Sequence, residues 1–253
     1  MTTTPKPTPP HPVLDEYYET AADRQKFVSD LFNGAAPYYE QVGRFFDWGS
    51  GNWYRYRAFE RAGLRTGMRV LDVATGTGLL ARVAARIVGR SGRVIGVDPS
   101  TGMLGEARKA PAGPLVFGRA EELPLRGDTF DMLSMGFALR HVPTLEIAFR
   151  EYWRVLKPGG RMLLLEVSRP PAPAVRALLR VYLQRILPLI MRITTRNEPA
   201  QVLMKFYWDT IDQCVPPETI LSVLRDCGFT GVERRVMFGF MSEYVAAKPL
   251  ARG

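Results

Sequence analysis

The feature that most constrains the fold is an apolar run ending in closely spaced glycines, residues 70–78 (Val-Leu-Asp-Val-Ala-Thr-Gly-Thr-Gly). Apolar residues then recur at helical spacing from Leu79 to Ile87, which predicts a strand that turns sharply into a helix. Because glycine has no Cβ, Gly76 and Gly78 let the backbone adopt unusual dihedral angles and let a ligand approach the N–H groups at the start of the helix. The stretch therefore predicts a nucleotide-type binding site.

Two ligand classes fit this glycine spacing. Gly76, Gly78 and Ala81 satisfy the G-x-G-x-x-A pattern of dinucleotide sites, and Asp98 follows at about the 20-residue distance where an acid binds a ribose hydroxyl. Asp72 separates the two classes, because a carboxylate beside the turn repels a pyrophosphate but attracts the sulfonium and ammonium of S-adenosylmethionine. The sequence favours S-adenosylmethionine as the cofactor, and a NAD-dependent oxidoreductase is the alternative.

Strand and helix patterns alternate along the chain. Strands are predicted at 69–74, 93–98, 114–118, 130–136, 160–167, 231–237 and 243–247. Helices are predicted at 79–88, 101–109, 144–156, 199–213 and 217–227, and the Lys-Pro-Gly-Gly run at 157–160 is expected to separate a helix from a strand. This order predicts an α/β fold: a Rossmann-like, doubly wound, mostly parallel seven-stranded sheet with an antiparallel C-terminal edge. Ligands bind such sheets at the carboxyl ends of the strands, where Asp72, Asp98, Arg119, Gly136 and Glu166 fall.

The domain organisation follows from composition. Residues 1–20 are rich in proline and lack the apolar run of a secretory signal, so a disordered tail is expected there. One domain is expected over 21–253, with a helical cap at 21–64 and a helical insertion over the site at 172–214. The aromatic residues of the cap are expected either to form a lid or to cover one face of the sheet. They are Tyr38, Tyr39, Phe45, Phe46 and Trp48.

Charge and residue usage limit the partners. The 34 Lys and Arg against 25 Asp and Glu give a net charge of +9, which suits nucleic acid, anionic lipid or an acidic substrate without choosing among them. Residues 134–137 (Ser-Met-Gly-Phe) lack the Asn/Asp-Pro-Pro-aromatic signature of amino-directed base methylation, so no nucleic-acid partner is predicted. Two cysteines and two histidines without ligand spacing predict no metal site and a reduced, cytoplasmic compartment.

The stretch 173–193 combines a broad apolar surface with an arginine-containing polar stripe. Arg185 and Arg192 bracket its longest apolar part, which is far shorter than the roughly 20 apolar residues that a transmembrane helix needs. Packing on the sheet, bordering a lipophilic substrate cavity and peripheral contact with a membrane are the three interpretations left open. A homodimer is left open as well.

Six short motifs carry a resemblance to a known enzyme family. They are Phe-Asn-Gly-Ala-Ala-Pro-Tyr-Tyr at 32–39, the glycine run at 70–78, Gly-Arg-Ala-Glu-Glu-Leu-Pro at 118–124, Phe-Ala-Leu-Arg-His at 137–141, Arg-Val-Leu-Lys-Pro-Gly-Gly at 154–160 and Glu-Val-Ser-Arg-Pro at 166–170. They resemble class I S-adenosylmethionine-dependent methyltransferases of the ubiquinone/menaquinone biosynthesis C-methyltransferase type. The resemblance implies C-methylation of a quinone-like or other lipophilic aromatic molecule. N- or O-methylation of a phospholipid amine or a specialised metabolite, and a catalytically silent binding protein, are the alternatives.

The resemblance also implies which residues bind the cofactor. They are Asp72, Thr75, Gly76, Thr77, Gly78, Asp98, Pro99, Met103, Arg119, Ala120, Glu121 and Gly136. Thr77 and Asp98 are expected to contact it, with Arg119 and Ala120 near the adenine and Gly136 near the reactive end. Arg119 stands where the family usually has Asp or Asn, and Gly136 where it often has Ser. Because arginine cannot accept a hydrogen bond, the backbone or Ala120 is expected to bind the adenine amine.

Arg140 and His141 are the predicted catalytic residues. A ring carbon is a poor nucleophile unless an adjacent hydroxyl is ionised, and the ring proton must leave after methyl transfer. The resemblance implies that Arg140 stabilises an enolate-like oxygen and holds a water that takes the proton. His141, which stands where the family has Asn, is the other candidate base because histidine titrates near neutrality. The structural alternatives are an acid-pairing surface arginine and a hydrogen-bonded loop histidine.

Overall fold

A computed structural model describes residues 7–41, 43 and 51–251. The strands are β1 (Arg69–Val73), β2 (Arg93–Asp98), β3 (Leu115–Phe117), β4 (Phe130–Gly136), β5 (Leu156–Val167), β6 (Thr230–Met237) and β7 (Met241–Ala247). They form one seven-stranded sheet in the order β3-β2-β1-β4-β5-β7-β6. The pairings from β1 to β5 are parallel, and β7 runs antiparallel to both β5 and β6. The predicted doubly wound, mostly parallel sheet is confirmed.

Helices cover both faces of this sheet. They are α1 (Ala21–Ala35), α2 (Gly51–Ala62), α3 (Leu79–Val88), α4 (Thr101–Ala107), α5 (Leu145–Val155), α6 (Pro173–Val181), α7 (Leu187–Thr194), α8 (Glu198–Asp212) and α9 (Pro217–Asp226). A π-helical turn, Tyr182–Ile186, interrupts the stretch predicted as one helical pattern at 173–193. No helix within the described ranges is both long and apolar enough to cross a membrane.

Alternating side chains of the central strands enter two separate cores. Val70 of β1 belongs to the core that includes residues of α1, α2, α3 and α8, whereas Leu71 belongs to the core that includes residues of α5 and α9. Asp72 and Ser134 are register partners on β1 and β4, and the alternation turns both toward the Val70 side. The strand order reverses between β1 and β4, so this polar pair lies at the topological switch point where ligands bind.

The Lys-Pro-Gly-Gly run at 157–160 does not precede a strand as expected. It lies inside β5, which begins at Leu156, directly after α5. The pairing of β5 with β4 changes register between Phe130 and Met132, and Gly159 adopts a φ of 79° there. Glycine tolerates this left-handed conformation, so the run makes an irregularity in a strand that continues through it.

Residues 7–20 pack against the rest of the protein, which contradicts the disordered tail expected over 1–20 for the part described. Leu14 and Tyr18 are buried. Thr8 donates its backbone N–H to the Glu146 carboxylate at 2.9 Å, and Val215 donates its N–H to the Pro10 carbonyl. Proline-rich composition indicated disorder, but the apolar contacts order this segment. Residues 1–6, and the cap aromatics Phe45, Phe46 and Trp48, lie outside the described residues.

Candidate active site

The turn between β1 and α3 has the backbone geometry that its glycines predict. Gly76 has a φ of 58° and Gly78 a φ of 87°, and Ala74 also adopts a positive φ of 52°. Gly78 is the N-cap residue of α3. A Cβ added to Gly76 would meet no atom within 4 Å, so open space lies beside this part of the backbone.

The side chain of Asp72 stabilises this turn through hydrogen bonds. Its carboxylate accepts hydrogen bonds from the Thr75 hydroxyl at 2.7 Å and the Ser134 hydroxyl at 2.6 Å. Burial raises the pKa of Asp72 to about 6, against the lowering effect of those two hydrogen bonds. The side chain does not reach the wall of the cavity beside the turn. Its hydrogen bonds stabilise the shape of the turn, and the expected attraction of a sulfonium stays a prediction.

Asp98, the last residue of β2, does reach the cavity. Its carboxylate accepts the backbone N–H of Gly76 at 2.7 Å and that of Ser100 at 2.8 Å. Burial raises the pKa of Asp98 to about 6, and the two backbone hydrogen bonds partly offset that effect. Because a carboxylate has about four acceptor positions, lone pairs remain for two further donors such as ribose hydroxyls.

A cavity of about 620 Å³ brings most of the predicted site residues together. Those that line it are Gly76, Asp98, Pro99, Met103, Arg119, Ala120, Glu121, Gly136 and His141. The predicted residues that do not line it are Asp72, Thr75, Thr77, Gly78 and Arg140. That these residues bind a cofactor or act in catalysis stays a prediction, but the chain folds so that one space joins the glycine turn to His141.

Several aromatic side chains line the cavity. Phe32 of α1, Tyr39, Phe137 and His141 all line it. Phe137, directly after β4, has a φ of 60°, and such strain in a non-glycine residue occurs most often at functional sites. Phe117, which is 60% exposed, lines the cavity as well, and sequence reasoning gave it no role.

His141 is half-buried, and its ring lies among aromatic rings. It stacks on Phe206 with a centroid distance of 5.5 Å and an interplanar angle of 19°, and the ring of Phe32 meets it edge-on at 5.2 Å. Neither ring nitrogen has a hydrogen-bond partner among the described residues. Burial lowers the pKa of His141 well below 6.5, and the positive charge of Arg140 lowers it further. The imidazole is therefore neutral at pH 7, and its two ring nitrogens are buried polar atoms whose hydrogen-bonding capacity is unused.

Arg140 faces away from the cavity. It forms an ion pair with Glu166 at the end of β5, and its Nε donates to the Thr210 hydroxyl at 3.1 Å. Its guanidinium carbon lies 5.1 Å from the ring centroid of Tyr207, a cation–π contact. Arg140 therefore lacks the direct access to substrate that was expected of it. It is also not the surface arginine of the alternative interpretation, because it is 1% exposed.

Two tyrosines link Arg140 to the cavity. The Tyr207 hydroxyl donates to the Tyr39 hydroxyl at 2.8 Å, and Tyr39 lines the cavity. Burial raises the pKa of both hydroxyls, so both are protonated at pH 7. Because Tyr39 accepts from Tyr207, its own proton is available for donation to a ligand. Tyr207 lies outside the six motifs that carry the family resemblance, so sequence reasoning missed it.

Asn33 ties α1 to the start of α4 beside Asp98. Its side-chain oxygen accepts the Ser100 hydroxyl at 2.7 Å and the Gly102 backbone N–H at 2.9 Å. A Cβ on Gly102 would lie 2.9 Å from the Asn33 carbonyl oxygen, so the two backbones approach as closely as glycine permits. Asn33 belongs to the 32–39 motif, but nothing in that motif by itself indicates this contact.

The N-terminal segment holds the loop that carries Arg140 and His141. Arg24 donates to the Arg140 carbonyl at 2.6 Å and lies 3.0 Å from Nε2 of His11. Nδ1 of His11 lies 2.7 Å from the Pro12 carbonyl, which assigns the ring proton to Nδ1. Burial lowers the pKa of His11 to about 4. His11 had no predicted role, because the segment around it was expected to be disordered.

Arg119 turns toward α1. Its guanidinium donates to the Gln25 side chain at 3.2 Å, and Gln25 donates in turn to Glu121 at 3.1 Å. The three side chains close over the loop after β3. This is consistent with the expectation that the Arg119 side chain does not bind an adenine amine and leaves that contact to the backbone or to Ala120.

Comparison with known proteins identifies the family of this chain. Residues 19–248 match the ubiE/COQ5 methyltransferase family. The chain is 33% identical over 224 residues to the ubiquinone/menaquinone biosynthesis C-methyltransferase UbiE of Cellvibrio japonicus, covering 86% of this chain and 89% of that one. It is also 33% identical to the demethylmenaquinone methyltransferase of Symbiobacterium thermophilum, covering 89% and 94% of the two chains.

A solved S-adenosylmethionine-dependent methyltransferase from Aquifex aeolicus has the same fold. The two structures align with a TM-score of 0.56 and 20% sequence identity, and the alignment covers 76% of this chain and 88% of that one. At that identity the likeness concerns the fold alone. The family match spans most of the chain and the relatives exceed 30% identity, so the chain belongs to the ubiE/COQ5 methyltransferase family and is an S-adenosylmethionine-dependent methyltransferase.

Proposed function

We propose that the protein methylates a ring carbon of a lipophilic, quinol-like aromatic molecule. The observation that carries this proposal is one continuous cavity that is lined by Gly76 and Asp98 and also by Phe32, Tyr39 and His141. The names of the Cellvibrio japonicus and Symbiobacterium thermophilum relatives support the same acceptor class.

The part of the cavity beside Gly76 and Asp98 fits S-adenosylmethionine in shape and in hydrogen-bonding capacity. The space beside Gly76 is open, and the Asp98 carboxylate retains acceptor capacity for ribose hydroxyls. Pro99, Met103 and Ala120 add apolar surface for an adenine ring. When bound, S-adenosylmethionine supplies an electrophilic methyl group on a positively charged sulfur.

The polar groups among the aromatic side chains of the cavity can prepare a ring for attack. A ring hydroxyl that has released its proton to water shifts negative charge onto the ring and makes the neighbouring carbon nucleophilic, and the ionised oxygen is stabilised by a hydrogen-bond donor. The Tyr39 hydroxyl is such a donor, since its oxygen already accepts from Tyr207. The neutral His141 imidazole is a base that can take the proton which the ring carbon loses after the carbon–carbon bond has formed.

Arg140 acts through other side chains in this mechanism. Its cation–π contact fixes Tyr207, and Tyr207 in turn holds Tyr39 through a hydrogen bond. Arg140 is therefore a positioning residue, and its positive charge also keeps His141 neutral. Most of the rate enhancement then comes from aligning donor and ring in a dry cavity, which in favourable cases lowers the barrier by about 7–11 kcal/mol.

The proposal is tested by incubating the purified protein with S-adenosylmethionine that carries a deuterated methyl group and with three acceptors. The acceptors are a short-chain demethylmenaquinol, its oxidised quinone form and phosphoethanolamine. Labelled product is expected from the quinol alone, because only the quinol has the electron-rich ring. Labelling of phosphoethanolamine would transfer the assignment to N-methylation, and the Asp98→Asn variant serves as the cofactor-site control.

A further inference from the structure

A second cavity, of about 830 Å³, lies between α6, α8, the start of α9 and the β6–β7 hairpin. It shares no lining residue with the site cavity. Four arginines line it: Arg169, Arg176, Arg180 and Arg234. The methyl-transfer mechanism uses none of them.

Three of these arginines have no carboxylate partner in the part of the chain that the structure describes. Arg176 pairs with Asp212 at 2.6 Å. By contrast, Arg180 donates to the neutral side chain of Gln184 at 3.0 Å and Arg234 to the Ser242 hydroxyl at 2.9 Å. Arg169 reaches only the Asp212 backbone carbonyl, at 3.4 Å.

Three carboxylates also line the cavity, and they leave it positive. Asp212 is paired with Arg176 and Glu166 with Arg140. Glu218 is the third, and no arginine lies within ion-pair distance of it among the described residues. Two or more uncompensated guanidinium groups around one space make a site for an anion with several oxygens, because the guanidinium fork matches the geometry of a phosphate.

Exposed apolar side chains lie on two of the elements that line this cavity, α6 and the β6–β7 hairpin. None of the residues of α6 is buried, and Leu178 on that helix is 69% exposed. Phe238, in the turn between β6 and β7, is 65% exposed, and its neighbour Gly239 lines the cavity. The remaining exposed apolar side chains on the same two elements are Val175, Val181 and Val236. We call these five residues the apolar rim.

We propose that this cavity binds the phosphate headgroup of an anionic phospholipid, while the apolar rim enters the outer part of the bilayer. Exposed apolar side chains on the same elements as a group of cations match the layered chemistry of a membrane surface, where acyl chains lie next to phosphates. The net charge of +9 adds a long-range attraction to an anionic surface. This inference does not depend on the identity of the methyl acceptor.

The test is co-sedimentation of the full chain with vesicles of phosphatidylcholine alone and of phosphatidylcholine with phosphatidylglycerol. The cavity variant carries Arg180→Gln and Arg234→Gln. The charge-matched control carries Arg90→Gln and Arg126→Gln, both exposed arginines that do not line the cavity. The cavity variant is expected to bind phosphatidylglycerol vesicles about 30-fold more weakly, and the control less than about threefold more weakly. S-adenosylhomocysteine binding shows that each variant is folded.

A rim variant, Leu178→Ser with Phe238→Ser, is expected to lose binding to the same vesicles at high salt, where charge is screened. Equal losses in the cavity variant and its control would overturn the proposal in favour of diffuse attraction. An absence of binding to phosphatidylglycerol vesicles by the unchanged protein would also overturn it. So would a wild-type dimer in sedimentation equilibrium that the rim variant converts to a monomer, because this face would then belong to a second copy of the chain.

Discussion

The guanidinium of Arg140 and the carboxylate of Glu166 form an ion pair in which each side chain is only 2% exposed. This pair joins the loop after β4 to the end of β5, and Arg140 also contacts Tyr207, which donates to the cavity residue Tyr39. Desolvation makes a buried ion pair contribute little net stability, but removal of one partner leaves a charge buried without compensation. The pair is therefore a sensitive point for both folding and site geometry.

Arg140→Ala is expected to lower the free energy of unfolding by about 3–5 kcal/mol, because it leaves Glu166 unpaired. Addition of Glu166→Gln should recover a substantial part of that loss, since the amide carries no charge. Urea denaturation of the single and double variants measures both effects. Equal stability of the Arg140→Ala variant and the wild type would show that the pair does not form.

His141→Phe is expected to keep the stacking on Phe206 and the affinity for S-adenosylhomocysteine, while kcat falls by roughly 100-fold or more through loss of the base. The kcat of His141→Gln, which retains a hydrogen-bonding group but has no base, should fall by a similar factor. Steady-state kinetics with the quinol acceptor separates kcat from KM. Full activity in His141→Phe would assign the imidazole a packing role only.

His11 makes part of the stability depend on pH. Its pKa in the folded protein is about 4, below the unfolded value near 6.5, so the unfolded chain binds the proton more readily. The stabilising contribution is complete above pH 6.5 and is lost as the pH falls toward 4, on the order of 3 kcal/mol in total. Asp72 and Asp98 have the opposite effect on how stability changes with pH. Burial raises their pKa values to about 6, so the folded protein binds these protons more readily than the unfolded chain does.

The carboxyl contributions are common to the wild type and His11→Gln, so the difference between the two proteins isolates the histidine. The wild type should lose more stability than His11→Gln between pH 6.5 and 4, measured by urea denaturation at several pH values. Parallel pH profiles for the two proteins would mean that His11 is not buried in its neutral form.

Asn33→Ala is expected to weaken S-adenosylhomocysteine binding by roughly tenfold, because the Ser100 hydroxyl and the Gly102 N–H both lose their acceptor beside Asp98. Asn33→Asp retains an acceptor oxygen and should bind more tightly than Asn33→Ala. Isothermal titration calorimetry provides the comparison. Unchanged affinity in Asn33→Ala would remove the α1 contact from the cofactor site.

Asp98→Asn is expected to weaken S-adenosylhomocysteine binding by roughly 10- to 100-fold at pH 7.5, the effect of losing hydrogen bonds to a charged acceptor. In the wild type the affinity should fall as the pH drops below about 6, where the Asp98 carboxylate takes up a proton. The variant should show a shallower pH dependence, and not a flat one, since Asp72 titrates in the same range. Titrations at pH 5, 6 and 7.5 separate the two profiles.

The fold was largely predictable from the sequence because strands, helices and tight turns leave patterns in neighbouring residues. Periodicity located β2 at 93–98 and α3 at 79–88 with the observed bounds, and the glycines at 76 and 78 indicated the turn between β1 and α3. The N-terminal segment at 7–20 was not predictable in this way. Its order depends on contacts with residues such as Glu146 and Val215, which are distant in sequence.

The site was predictable where a backbone turn defines it and less so where distant side chains meet. Asp98 was expected in the cavity and lines it, because strand ends converge at one edge of the sheet. Arg140 was expected to face the substrate, and only its pairing with Glu166 and Tyr207 turns it away. Tyr39 and Tyr207 lie 168 residues apart in sequence, so no local pattern relates them.

The central claim is that the cavity beside Gly76, Asp98 and His141 carries out transfer of a methyl group to a ring carbon. The most direct measurement is carbon-13 NMR of the product formed from S-adenosylmethionine with a carbon-13 methyl group and a carbon-13 ring-labelled quinol. One-bond coupling between the methyl carbon and a ring carbon is the predicted result. A labelled methyl group bonded to oxygen, with no carbon–carbon coupling, would contradict the account.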